Sequence, residues 1–136
     1  MAIAQEPTIE QLLATPTAAE IVGQWKAVCL DHAGDPITQE ATVKSTGLTW
    51  PYQAYFHPRG GEVDCVVASA TKPGTVTGDF LGPLSTATAL PAGEFRADKR
   101  GLSADLPLNG RTYRVGASTS DMGGGNLVTT VILAAK

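Results

Sequence analysis

The stretch VCLDHAGD at residues 28–35 sets Cys29 three positions before His32, with Asp31 and Asp35 on either side of the histidine. The chain holds two cysteines and two histidines in all, and the second pair, His57 and Cys65, lies eight positions apart. Cysteine and histidine at i, i+3 can converge on one ion, so Cys29, His32, His57 and Cys65 form a candidate tetrahedral zinc set. The same residues could make a thiol-dependent hydrolase, with Cys29 or Cys65 as nucleophile and His32 or His57 as base. That chemistry requires an accessible cysteine of lowered pKa.

The elements that carry these residues argue for a plainer reading. Thr17 and Glu20 have the T-x-x-E spacing of a capping box, and Ile21, Val22, Trp25, Val28 and Cys29 follow at helical intervals. Cys29 therefore falls on the buried stripe of a helix. In EVDCVVAS, strand alternation groups Val63, Cys65 and Val67 on one face, so Cys65 also points inward. Two inward cysteines favour a Cys29–Cys65 disulfide over a metal or catalytic site, with two inert core thiols as the alternative. His32 then has an ordinary place in the last helical turn, beside the negative end of the helix dipole. Gly34 supplies the cap that ends this helix.

The rest of the chain reads as helices first and strands afterward. Thr8 and Gln11 mark a short helix ending before Pro16, and Asp35-Pro36 opens a further helix running to about Thr46 before Gly47. Beyond Trp50-Pro51 the composition turns to threonine, valine, glycine and tyrosine. Turn signals recur at Arg59-Gly60-Gly61, Lys72-Pro73-Gly74, Lys99-Arg100-Gly101, Asn109-Gly110 and Gly123-Gly124-Gly125. Asn109-Gly110 is the clearest hairpin, since both residues accept the positive φ of a type I′ turn. The segment Gly82–Gly93 has no charge until Glu94 and weak periodicity, which predicts a long crossover loop or an irregular edge strand and makes it a candidate lid. The expected fold is α+β, with N-terminal short helices packed on one face of an antiparallel sheet of five to seven strands. Residues 1–7 are expected to be a disordered N-terminus or the stub of an export signal, and 8–136 a single domain.

Several partner classes are disfavoured. Net charge is -3, and the longest basic run is Lys99-Arg100, so the electrostatic footprint of a nucleic-acid binder is missing. No window approaches the apolar length of a membrane span. No cofactor motif is present, because the triglycine lacks the flanking pattern of a phosphate loop. Neither catalytic residues nor metal ligands are nominated. The small residues of Ala2-Ile3-Ala4 and a potential disulfide point to a periplasmic or secreted protein, with the cytoplasm as the alternative.

The most unusual local feature is WPYQAYFHPR, residues 50–59, which contains Trp50, Tyr52, Tyr55 and Phe56, four of the eight aromatics in the chain. Trp50, Tyr52, Tyr55, His57 and Arg59 are therefore the candidate ligand-binding residues. Alternation splits them, directing Tyr52 and Phe56 one way and Tyr55 and His57 the other. The functional expectation is a non-enzymatic exported domain that binds a small molecule or a protein partner through its sheet. A homodimer formed by pairing exposed edge strands is the remaining possibility, which glycine and proline near the strand ends would oppose.

Overall fold

The computed structural model describes residues 15–48, 51–99, 101–121 and 127–136. The helix anticipated after Thr8, Trp50, Arg100 and the triglycine turn lie outside the described residues.

Helix α1 (Ala18–Val28) begins at the anticipated capping box. The Thr17 hydroxyl accepts from the Glu20 amide at 3.3 Å, and the Glu20 carboxylate accepts from the Thr17 amide at 3.2 Å. Ala18, Ile21, Val22, Trp25 and Val28 make its buried stripe. The helix closes one turn earlier than expected. Gln39 Nε2 donates to the Cys29 carbonyl at 3.0 Å, and the Ala33 amide turns instead to Leu30 O at 3.2 Å. Leu30–His32 is consequently a separate 3-10 turn, and His32 does not sit in the last turn of α1.

Helix α2 (Pro36–Thr46) has Asp35 as its N-cap, accepting from the Thr38 amide at 3.1 Å, and Gly47 closes it with φ +62°. It buries only Gln39 and leaves Ile37 80% exposed, so its attachment depends on the Gln39 bond and on Val43. A third helix, α3 (Leu81–Thr88), occupies the segment anticipated as a loop. Its apolar stripe starts before Gly82: Phe80 and Leu84 are fully buried, and Leu81 and Ala87 pack beside them at helical spacing. Burial rather than charge pairing therefore holds this uncharged helix, and Ser85 Oγ donates to Leu90 O at 2.5 Å past its end.

The described residues form six strands: β1 (Tyr52–Arg59) and β2 (Glu62–Thr71) before α3, then β3 (Arg96–Asp98), β4 (Gly101–Leu108), β5 (Arg111–Asp121) and β6 (Leu127–Ala135) after it. They form one sheet in the order β1-β2-β6-β5-β4-β3, with every pair antiparallel. After β2 the chain crosses through α3 to the far edge and returns as the meander β3 to β6. The Asn109-Gly110 turn joining β4 to β5 has φ values of 52° and 76°, matching the type I′ expectation. Gly101 is required by close approach, because a Cβ there would lie 2.0 Å from Ala117 O.

The α+β architecture is thus as the sequence implied. The inward set, including Cys65, Val67, Leu102, Val115, Val131 and Leu133, packs with α1 and α3 into one core cluster. The other face of the sheet carries no helix of the described residues.

Candidate functional site

Cys29 and Cys65 are joined by a disulfide, with both residues fully buried and their Cα atoms 5.6 Å apart. The bridge ties the end of α1 to β2, and in this state neither sulfur is a thiolate able to attack or to ligate. The histidines do not join the cysteines at a common site. Phe56 is the register partner of Cys65, so the next residue, His57, projects to the opposite face, where it is exposed. Among the described residues no group of His, Cys, Asp and Glu is arranged to hold a metal.

The strand β1 divides the aromatic run by its pleat. Tyr52 and Phe56 pack against the core, while Gln53, Tyr55 and His57 face outward. Desolvation, aided by the Glu20 carboxylate, pushes the Tyr52 hydroxyl above its ordinary pKa. Tyr55 is 48% exposed and donates its hydroxyl proton to Gln53 Oε1. Arg59 acts as a strap across three strands: Nε donates to Asp64 Oδ2 at 3.1 Å, and Nη2 reaches both Asp64 Oδ1 at 3.4 Å and Ala135 O at 2.5 Å. The four described members of the anticipated binding set therefore do not converge. Tyr55, His57 and Arg59 share the open face, Tyr52 lies on the helix side, and Trp50 is not described.

A concavity of about 630 Å³ occupies the open face over β6, β5 and β4, and among the described members of the anticipated set Arg59 alone lines it. Register explains its shape. One row across the whole sheet runs Arg96, Ser103, Gly116, Ile132, Val66, Tyr55. In its middle Gly116 has no side chain, and a Cβ there would meet Leu102 O at 3.0 Å and Ile132 Cγ2 at 3.5 Å. With Ala134 beside it in the neighbouring row, a twisted sheet acquires a trough floored by small residues.

The trough has two chemically different ends. Toward the chain's C-terminal residue stand Arg59, Arg114 and Lys136, and toward the β3–β4 turn stand Asp98 and the hydroxyl pair Ser118 and Thr130, whose oxygens are 3.0 Å apart. Lys136 pairs with Asp105 at 3.0 Å and Arg59 with Asp64 at 3.1 Å. Arg114 is different. Its register partner across the strands is Asp105, whose carboxylate is given to Lys136, and the exposed Arg114 guanidinium has no hydrogen-bond or ion-pair partner among the described residues.

Strand alternation puts Arg111 and Tyr113 on one face of β5 and Arg114 on the other. The structure agrees on the faces, with Arg111 over the Tyr113 ring at 6.0 Å. The signal that could have found the trough is the outward series Arg114, Gly116, Ser118 in RTYRVGAS, a cation followed by two small residues on one face. Compared with protein-family models, with curated proteins and with solved structures, the chain has no significant match in any of the three.

Proposed function

We propose that this chain is a non-enzymatic, exported binding domain that receives a small molecule on the open face of its sheet. The observation that carries the reading is the trough of about 630 Å³, which falls within the range of small-molecule sites and combines an apolar floor with a few polar groups at its ends. The helices and the disulfide support the reading indirectly. They hold the opposite face rigid, so that the residues of the trough are displayed on strands rather than on loops. A buried bridge suits an oxidising compartment such as the periplasm or the extracellular space. The bridge also engages both sulfurs that a thiol mechanism would need.

A fragment library screened by amide chemical-shift mapping tests the proposal. Hits are expected to move the amides of Ser103, Gly116, Ser118 and Ile132, and Ser103→Trp, which fills the trough from an outward position, is expected to abolish them without lowering the melting temperature. Hits that map to the helix side, or that bind Ser103→Trp as well as the parent, would overturn it.

A further inference from the structure

Resting on the reading of the open face as the ligand site, we infer that its ligand is a monocarboxylate with an apolar body, held by Arg114. Three observations on the trough lead there. Arg114 is the one lining cation without a partner among the described residues, so it is the group left to meet an anion. A guanidinium offers two parallel N–H donors matched to a carboxylate, and it keeps its charge at every accessible pH. Arg114 also stands directly beside the apolar floor, since Ala134 is its register partner on β6 and Gly116 and Ile132 form the next row.

Charge pairing favours a single negative charge. Arg59 and Lys136 are engaged by Asp64 and Asp105, so Arg114 is the one cation of the trough without an ion-pair partner among the described residues, and a dianion would bring its second charge toward the carboxylates of Asp64 and Asp98. Length selects the body. Arg114 and Ser118 are four residues apart on β5, about 13 Å along an extended strand, so a carboxylate at Arg114 leaves room for a ring or short chain over Gly116 and Ile132. The hydroxyls of Ser118 and Thr130 then lie at the far end, where they can meet a polar tail.

Hydrocinnamate and its neutral amide, hydrocinnamamide, are the probes, titrated into the oxidised full chain while amide shifts are followed. The acid is expected to move the Ser103, Gly116 and Ile132 amides in a saturable manner and to bind about tenfold tighter than the amide, as a charge-assisted pair does. Arg114→Gln should equalise the two, whereas Arg96→Gln, on the same face outside the trough, should leave the preference intact. If acid and amide titrate alike, or if Arg114→Gln retains the preference, the carboxylate inference fails while the open-face site stands. If neither probe moves these amides, the inference fails as well, and a fragment screen that also maps elsewhere removes the open-face reading with it.

Discussion

Removing the Cys29–Cys65 bridge should lower the stability of this chain by an amount that can be worked from its position. The disulfide joins residues 36 apart in sequence. In the chain-entropy model a closed loop of that length removes about 13 cal/mol/K from the unfolded ensemble, or about 3.8 kcal/mol at room temperature. An unfolding entropy near 2.1 cal/mol/K per residue, over 136 residues, gives about 290 cal/mol/K, so the melting temperature should fall by about 13 °C. The measurement is a circular-dichroism melt of three samples: the oxidised protein, the oxidised protein unfolded and refolded with reductant, and Cys29→Ala/Cys65→Ala. Mass spectrometry after alkylation under denaturing conditions fixes the starting state, since the oxidised chain should take no label until reduced. Both sulfurs are fully buried, so reductant added to the folded protein should act slowly. A double variant that melts within about 4 °C of the oxidised parent would refute the assignment of that stability to loop closure.

Other perturbations follow from single contacts. Gly34 has φ +82°, and a Cβ there would lie 2.7 Å from the Tyr113 hydroxyl, so Gly34→Ala should cost about 1–3 kcal/mol in a urea titration and Tyr113→Phe in the same chain should recover part of it. Thr129, fully buried, bonds the hydroxyls of Thr71 at 2.6 Å and Thr119 at 3.0 Å. Thr129→Val should therefore cost about 1–3 kcal/mol by equilibrium unfolding, because it leaves both hydroxyls short of a partner. The Glu62 carboxyl lies below its ordinary pKa, first because Arg111 donates to it, and Asp35 is lowered in the same sense by the Thr38 hydroxyl and amide. Folded values below the unfolded ones mean that this stability is present above the ordinary carboxylate range and is lost as pH falls through the folded pKa. The urea midpoint should accordingly hold steady from neutral pH down to that range and drop below it, and Glu62→Gln should flatten part of the drop.

What the sequence disclosed about the fold was the local part. Capping residues, a proline at a first turn, a glycine after a last turn and an Asn-Gly hairpin act within a few residues, so α1, α2 and the β4–β5 turn could be read directly. The inward pointing of Cys29 and Cys65 follows from period alone, whereas their pairing does not: two inert core thiols fit the same pattern, and the bridge is favoured by the export reading. Where reading failed, a distant contact had intervened or the boundary was placed wrongly. The end of α1 is set by Gln39, ten residues on, which takes the Cys29 carbonyl. The helix α3 was obscured because Phe80 and Leu81, two residues of its apolar stripe, stand before the glycine that seemed to start a loop.

The candidate site was less legible for a reason built into sheets. Alternation tells which face a residue takes but not which residues of other strands stand beside it. The row that crosses the trough runs Arg96, Ser103, Gly116, Ile132, Val66 and Tyr55 over six strands, of which Ser103, Gly116 and Ile132 line it, and each adjacency is fixed by register across the sheet. The strand order adds a second non-local step. Because β6 inserts between β2 and β5, Arg59 on β1 can reach the Ala135 carbonyl 76 residues away, and a basic residue of the aromatic run comes to line the same trough as Arg114. Concentration of aromatics in one segment directed attention to the β1 edge, whereas the concavity forms where side chains are smallest, over Gly116 and Ala134. A search for outward-facing small residues next to an isolated cation would have reached the site from the sequence, provided that the strands were already paired.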